Sequence, residues 1–316
     1  MKKKYNIIYF NKISLNIVNY KLLEKNFNII KIDDIKGLLK IKNPENIFAI
    51  YCDQRFFFSK KKLGRFKNLK FLVSSTTSTQ FIDKEYSNKM NIKIISLEKE
   101  QKFLKQITPT AEHALGLLIS LSRNYISSID HVNNGNFDRR PFGGFKMLSK
   151  SSLGIIGYGR LGKIMRNISH KIFKKVKAID IKNYDRKTFN RKLKKIFENS
   201  DFISLHIPSF KNKKFISKKN LDEIKNKFFL INTSRGDVVD EKFILKLLNK
   251  GKILGYATDV LNNEFSESFK LRNNPIYRHR NKYNILITPH IGGSTKDAWM
   301  MTENRVIKAF LKHSKL

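Results

Sequence analysis

Short apolar runs separated by helical or polar stretches set the rhythm of the first third of the chain, at Tyr5 to Phe10, Ile47 to Tyr51, Phe71 to Val73 and Ile92 to Ile95. Runs of this length predict the buried strands of a small α/β unit reaching to about residue 104. A second series opens with Thr110-Ala111-Glu112-His113-Ala114-Leu115-Gly116-Leu117-Leu118-Ile119-Ser120-Leu121, which reads as a helix. Strands are then predicted at Leu153 to Ile156, Val176 to Ile179, Phe202 to Leu205, Phe228 to Asn232, Leu254 to Thr258 and Ile285 to Thr288. Such alternation predicts a doubly wound parallel sheet. The tail from Thr295 to Lys312 reads as one helix that returns to the first unit. The expected organisation is a first domain over 1–104, completed by 293–316, with a second over 105–292 inserted into it.

The 316 residues suffice for two domains with real cores. A net charge of +38 raises the question of nucleic acid. The cations, however, are spread along the whole chain, as in Lys171, Lys174, Lys175 and Lys177 or Arg191-Lys192-Leu193-Lys194-Lys195, and accompany abundant Asn, Ile and Phe. That pattern fits a compositional bias filling solvated positions. Neither zinc-finger spacing nor an aromatic RNA-binding signature is present, so weak, salt-sensitive, nonspecific binding is expected and no specific nucleic-acid partner. No apolar run reaches 18 residues, and the start of the chain lacks a long apolar region or a small-residue cleavage site. A cytoplasmic protein with no membrane partner is expected, although Ser314-Lys315-Leu316 matches a peroxisomal address in a cell that has peroxisomes. The single cysteine, Cys52, has no partner for a disulfide or a thiolate metal site, reads as a small buried residue, and no metal is expected. The turn-rich segment from Asn133 to Phe145 reads either as a subunit-contact arm or as a surface loop.

The run Ser152-Leu153-Gly154-Ile155-Ile156-Gly157-Tyr158-Gly159-Arg160-Leu161-Gly162-Lys163-Ile164 joins an apolar strand to a helix through Gly-x-Gly-x-x-Gly. In such a turn Gly157 makes the tight bend, Gly159 lets backbone approach a pyrophosphate, and Gly162 lets helix pack on sheet. The amides and dipole at the helix N-terminus then hold phosphates. Asp180 ends the next predicted strand, 18 positions beyond Gly162. There it accepts from a ribose diol and repels a 2'-phosphate, favouring NAD over NADP.

Later strand ends carry further chemistry. Arg235 follows Leu230-Ile231-Asn232-Thr233-Ser234, Asp259 and Glu264 follow Gly255-Tyr256-Ala257-Thr258, and His290 follows Leu286-Ile287-Thr288-Pro289. A guanidinium grips a carboxylate and polarises the adjacent carbonyl, and an imidazole titrating near neutrality gives or takes a proton. A carboxylate beside the imidazole favours its charged form. Each residue has a bland alternative, as surface cation, loop acid or satisfied histidine. Asp259 reads either as a partner for a nicotinamide amide or as a structural cap.

These segments, with Ser204-Leu205-His206-Ile207-Pro208, Val239-Asp240-Glu241 and Thr288-Pro289-His290-Ile291-Gly292-Gly293-Ser294, resemble the D-isomer-specific 2-hydroxyacid dehydrogenase family, which contains phosphoglycerate dehydrogenase. The resemblance spans nearly the whole chain. It implies a Rossmann cofactor domain inserted into a smaller flavodoxin-like α/β substrate domain, and an NAD-dependent oxidoreductase that interconverts a D-2-hydroxy acid and its 2-keto acid. It further implies Arg235, Glu264 and His290 as the catalytic set. The cofactor would be held by Gly157, Tyr158, Gly159, Arg160, Leu161, Gly162, Asp180, His206, Ile207, Pro208, Thr233, Ser234, Asp259 and Gly292, and the substrate by Arg235 with Ser75, Thr76, Thr77 and Ser78. Members are commonly dimers, so a homodimer is expected. Two departures stand out: Ser78 occupies the place of a family glycine, and Phe265 with a long polar stretch replaces the usual Pro after the glutamate. A chain ending soon after the terminal helix leaves no room for the regulatory domain of some phosphoglycerate dehydrogenases, so feedback control through one is not expected. Alternatives are a glyoxylate or hydroxypyruvate reductase and a nonenzymatic NAD-responsive binding protein on the same fold.

Overall fold

The computed structural model describes residues 4–13, 15–209, 212–221, 224–266 and 268–314. They form two compact units, one made of the described residues within Met1–Ile107, Phe265–Ser268 and Ser294–Leu316, the other of those within Thr108–Glu264 and Phe269–Gly293.

In the first unit, strands β1 (Tyr5–Phe10), β2 (Phe27–Ile32), β3 (Ile47–Tyr51), β4 (Phe71–Val73) and β5 (Lys93–Ile95) form a parallel sheet in the order β2-β1-β3-β4-β5, the flavodoxin-like arrangement. The apolar pattern does not predict β2. It is an edge strand whose exposed Asn28 and Lys31 interrupt the run Phe27-Asn28-Ile29-Ile30-Lys31-Ile32. Alternate side chains of the central strands enter two cores. Ile8, Phe10, Ile50 and Leu72 pack with Phe58, Leu63 and Phe66, whereas Ile7, Tyr9, Tyr51 and Val73 pack with Leu23 and with Val306, Ile307 and Phe310 of the Lys296–Ser314 helix. Phe310 stacks on Phe27 at 4.8 Å and meets Phe71 edge-on at 5.4 Å. That helix therefore closes one face of a sheet built from the opposite end of the chain.

The second unit carries β6 (Ser152–Ile156), β7 (Lys175–Ile179), β8 (Phe202–Leu205), β9 (Phe228–Asn232), β10 (Ile253–Thr258) and β11 (Ile285–Ile287), all parallel in the order β11-β10-β9-β8-β6-β7. Every residue of β8 and β9 is buried, as a parallel sheet covered on both faces requires. The Pro109–Ser122 helix covers one face with Ala111, Ala114, Leu117, Leu118 and Leu121. The opposite face packs against Phe189, Leu193, Phe197, Ile244 and Ile276. Strand order reverses between β6 and β8, so their carboxyl ends form the crevice where an open α/β sheet takes its ligand. Among the described residues no helix is long and apolar enough to cross a membrane. Lys315 and Leu316 of the peroxisome-type tripeptide lie outside the described residues.

Truncating Phe310, which is 1% exposed, removes the aromatic plug of the first unit. Phe310→Ala is expected to cost about 3–5 kcal/mol, read as a lower urea midpoint. An unchanged midpoint would remove the helix from that core.

Candidate active site

The glycine turn after β6 is dictated by collisions. Gly157 has φ 95°, and a Cβ there would sit 2.4 Å from the His206 carbonyl oxygen. A Cβ on Gly162 would lie 1.9 Å from the Gly157 oxygen, so the helix Arg160–Ser169 reaches the strand only through glycine. Gly159 differs, because a Cβ there would meet nothing within 4 Å. It is the exposed N-cap of that helix and offers no side-chain cap. First-turn amides without a capping side chain want an acceptor from outside, and the helix dipole favours an anion.

The crevice beside this turn has the polar equipment for a dinucleotide. Asp180, at the end of β7, accepts from the Tyr158 amide at 2.9 Å and the Lys182 amide at 3.1 Å, which fixes its carboxylate against the glycine turn. Tyr158, Arg160 and Leu161 are half-buried, and burial lowers the Arg160 pKa. Beyond β8, His206 Nε2 lies 2.9 Å from Ser204 Oγ. Burial pushes the His206 pKa down to about 4, so the ring is neutral at physiological pH. Its Nδ1 and the Thr233 hydroxyl beyond β9 are buried with no hydrogen-bond partner among the described residues. Orphaned polar atoms at adjacent strand ends are costly unless a ligand meets them. Ile207 packs on the core and Pro208 is exposed. Together these residues fit a nicotinamide dinucleotide.

Three loops of the second unit carry the candidate catalytic set. After β9, the fully buried Asn232 stitches its own turn: its Nδ2 donates to the Arg235 carbonyl at 2.9 Å, and its Oδ1 accepts from the Ser234 amide at 3.1 Å and hydroxyl at 2.7 Å. Arg235 is thereby held on a rigid Asx turn, with Nη1 donating to the Ser234 carbonyl at 2.7 Å. Burial lowers the guanidinium pKa, and the charges of Glu264 and Asp237 oppose that shift. A Cβ on Gly236 would lie 2.0 Å from the Leu261 carbonyl carbon, so glycine lets the Arg235 loop touch the loop that follows β10. The second loop is anchored by buried Glu241, which accepts from the Asn262 amide at 3.1 Å and from Asn274 at 3.0 Å. Glu264, two residues on, accepts from the Leu261 amide at 3.2 Å through Oε2. Its Oε1 accepts from His290 Nδ1 at 2.8 Å.

His290 rides on the loop after β11 in a left-handed conformation, φ 56°, which is uncommon for a side chain of this bulk. The loop is held to Asp259. The Asp259 carbonyl accepts from the His290 amide at 2.9 Å, Oδ1 accepts from the Ile291 amide at 2.9 Å and the Thr288 hydroxyl at 2.6 Å, and Oδ2 accepts from the Gly292 amide at 2.7 Å. Asp259 is 2% exposed. Its carboxylate is therefore a loop anchor, with one acceptor position on Oδ2 beyond these contacts. The stretch between Glu264 and His290 includes the Pro275–Arg278 helix, whose Ile276 is fully buried.

The Ser75–Ser78 segment belongs to the first unit, after β4. Hydroxyls replace glycine as its organising feature. Tyr51 pairs with Ser75, Ser74 Oγ lies 3.0 Å from Thr76 Oγ1, and Thr76 Oγ1 donates to the Ser78 carbonyl at 2.7 Å. Ser78 has no positive φ, so no glycine is needed there.

Comparison with known proteins agrees with this architecture. Residues 115–292 match the D-isomer specific 2-hydroxyacid dehydrogenase, NAD binding domain. The chain belongs to the D-isomer specific 2-hydroxyacid dehydrogenase family, and its second unit carries the NAD-binding domain of that family. Glycerate dehydrogenase of Methylorubrum extorquens is 28% identical over 251 residues, covering 78% of this chain and 76% of that protein. D-3-phosphoglycerate dehydrogenase of Haemophilus influenzae is 31% identical over 208 residues, 65% of this chain and half the length of that relative. The apo structure of D-lactate dehydrogenase from Escherichia coli superposes with a TM-score of 0.79 at 21% identity, over 99% of this chain and 97% of that one.

The glycine geometry separates two kinds of damage. Gly159→Val is expected to leave the thermal midpoint in place and weaken NADH binding at least tenfold in a fluorescence titration, because its side chain fills open space at the helix N-terminus. Gly162→Ala puts a methyl group into backbone and should lower the midpoint. Undiminished NADH affinity in Gly159→Val would place the phosphates elsewhere.

Proposed function

We propose that this chain interconverts a D-2-hydroxy acid and its 2-keto acid, with NAD as redox partner, Arg235 gripping the substrate carboxylate and His290 moving the hydroxyl proton. The observation that carries the reading is the 2.8 Å bond from His290 Nδ1 to Glu264, in the same unit as half-buried Arg235 and the glycine turn. The cofactor, when bound, supplies or receives the hydride. Gly157, Tyr158, Gly159, Arg160, Leu161, Gly162 and Asp180 hold its phosphates and adenosine ribose, while His206, Ile207, Pro208, Thr233, Ser234, Asp259 and Gly292 line its remaining length.

The side chains divide the remaining work. A half-buried guanidinium keeps its charge, and in a low-dielectric setting its fork binds a carboxylate and polarises the neighbouring carbonyl more strongly than it would in water. Glu264 accepts only, so His290 Nδ1 bears hydrogen and the exchangeable proton is on Nε2. The carboxylate fixes the plane of the ring through its 2.8 Å bond to Nδ1. In reduction, His290 gives the Nε2 proton to the carbonyl oxygen; in oxidation, neutral Nε2 takes it back. Ser75, Thr76, Thr77 and Ser78 are the proposed contacts to the rest of the substrate. The glycerate and phosphoglycerate dehydrogenases and the hydroxypyruvate reductase among the relatives support a small three-carbon acid, with two-carbon glyoxylate as the nearest alternative.

Loss of NADH absorbance with hydroxypyruvate, glyoxylate, pyruvate and 3-phosphohydroxypyruvate tests this reading. Wild type is expected to reduce at least one, and His290→Ala to lower kcat by about 10²–10⁴-fold with NADH affinity nearly unchanged. NADH binding without turnover of any of the four would favour the nonenzymatic NAD-responsive protein.

The partner is a second copy of the chain. Supporting this, the Tyr125–Asn133 helix presents Tyr125, Ile126, Ile129 and Val132 to solvent, and nearby Phe137 is 97% exposed. A contiguous apolar surface of this kind marks an association site. Sedimentation should give a dimer, and Ile129→Asp should give a folded monomer. A monomeric wild type would remove the assignment.

A further inference from the structure

His113 stands in an apolar helix between buried Ala111 and Ala114, and neither the glycine turn nor the Arg235-Glu264-His290 set includes it. Its side chain is 21% exposed. The ring reaches the loop after β11, with Nε2 3.0 Å from Thr288 Oγ1 and 3.4 Å from Asp259 Oδ1. The direction of the bonds follows from the inventory of hydrogens. Thr288 has one hydroxyl hydrogen, which the Asp259 carboxylate takes at 2.6 Å. The hydroxyl oxygen therefore accepts from His113, and Nε2 bears the hydrogen. A chain of donors, His113 to Thr288 to Asp259, ends on the carboxylate that holds the Ile291 and Gly292 amides. In a buried setting each bond polarises the next.

The same ring walls the loop. A Cβ added at Gly292 would lie 2.9 Å from Asp259 Oδ2 and 3.5 Å from both His113 Cδ2 and Thr110 Cγ2. Between Thr288 and Gly292 sits His290, in a conformation that its backbone alone disfavours. What keeps it there is the set of contacts around Asp259, and His113 is the outermost donor in that set.

We propose that His113 is a positioning residue for His290, acting through Thr288 and the Asp259 carboxylate on the 288–292 loop. The proposal rests on the assignment of His290 as proton donor. Two variants test it. His113→Phe keeps a ring of similar size against Gly292 and removes the donor to Thr288; His113→Gln places an amide donor near the former Nε2. Two readouts are taken: steady-state kinetics on a keto acid that wild type reduces, and hydrogen exchange of the Ile291 and Gly292 amides in the full chain.

His113→Phe is expected to lower kcat about tenfold or more, the scale of a misplaced catalytic group, with KM and NADH affinity within threefold of wild type. Exchange at both amides is expected to accelerate at least tenfold. His113→Gln should recover most of both losses. Wild-type kcat in His113→Phe, or faster exchange with unchanged kcat, overturns the proposal. So does a kcat loss that glutamine leaves uncorrected while the thermal midpoint falls, which marks a packing role. If wild type reduces no keto acid, the exchange measurement still decides whether His113 holds the loop, and the failure then belongs to the assigned reaction.

Discussion

A charged carboxylate buried at the end of β10 sets the terms for the loops around it. Burial pushes the Asp259 pKa up, yet the nearby His113 ring and hydrogen bonds from Thr288, Gly292 and Ile291 outweigh that effect and hold it below the ordinary carboxylate range. A buried anion persists only when donors surround it. Most of these donors come from one short loop, which must fold back over the carboxylate to deliver two consecutive amides. That fold-back takes His290 into positive φ, so the histidine's unusual backbone and the anion's need for donors have one origin. The strain, of order 1–3 kcal/mol for such a residue, is offset by charge-assisted hydrogen bonds of comparable strength.

The parallel sheet explains why three loops from distant parts of the second unit meet. β9, β10 and β11 are neighbours, so their carboxyl ends deliver Arg235, Glu264 and His290 side by side. Each is then fixed by a residue that is not itself part of the set. Asn232 closes the arginine turn, Glu241 pins the backbone before the glutamate, and Asp259 anchors the histidine loop. Gly236 permits the first two loops to touch at backbone distance. The supporting shell is thus polar and buried, which gives a single arrangement in place of several.

Much of this was legible in the chain itself. Strands such as Phe228 to Asn232 are apolar runs because both faces of the sheet are covered, and the glycine turn announces itself because only glycine satisfies the contacts at Gly157 and Gly162. Strand β2 was not legible, since an edge strand with Asn28 and Lys31 facing solvent carries no run to detect. The roles of Thr288 and His113 were equally hidden. Their partners are set by the register of adjacent strands and by one helix crossing the sheet, which local pattern does not encode. A polar ring inside an otherwise Ala- and Leu-rich helix was the one available signal for His113. Ser78 shows the reverse case, where departure from a family glycine matters less than it looks because the backbone there needs no left-handed conformation.

The aromatic stack of Phe310 on Phe27 also orders events during synthesis. A ribosome makes Phe27 early and Phe310 only after the whole 108–293 segment has been made. The inserted unit is nearly continuous in sequence, so its sheet needs no strand from outside the 108–293 segment. The N-terminal sheet meanwhile waits with one apolar face uncovered, against the usual N-to-C order in which domains mature. During that interval the nascent chain presents a hydrophobic surface of the kind that holdase chaperones recognise, until the Lys296–Ser314 helix is made and covers it.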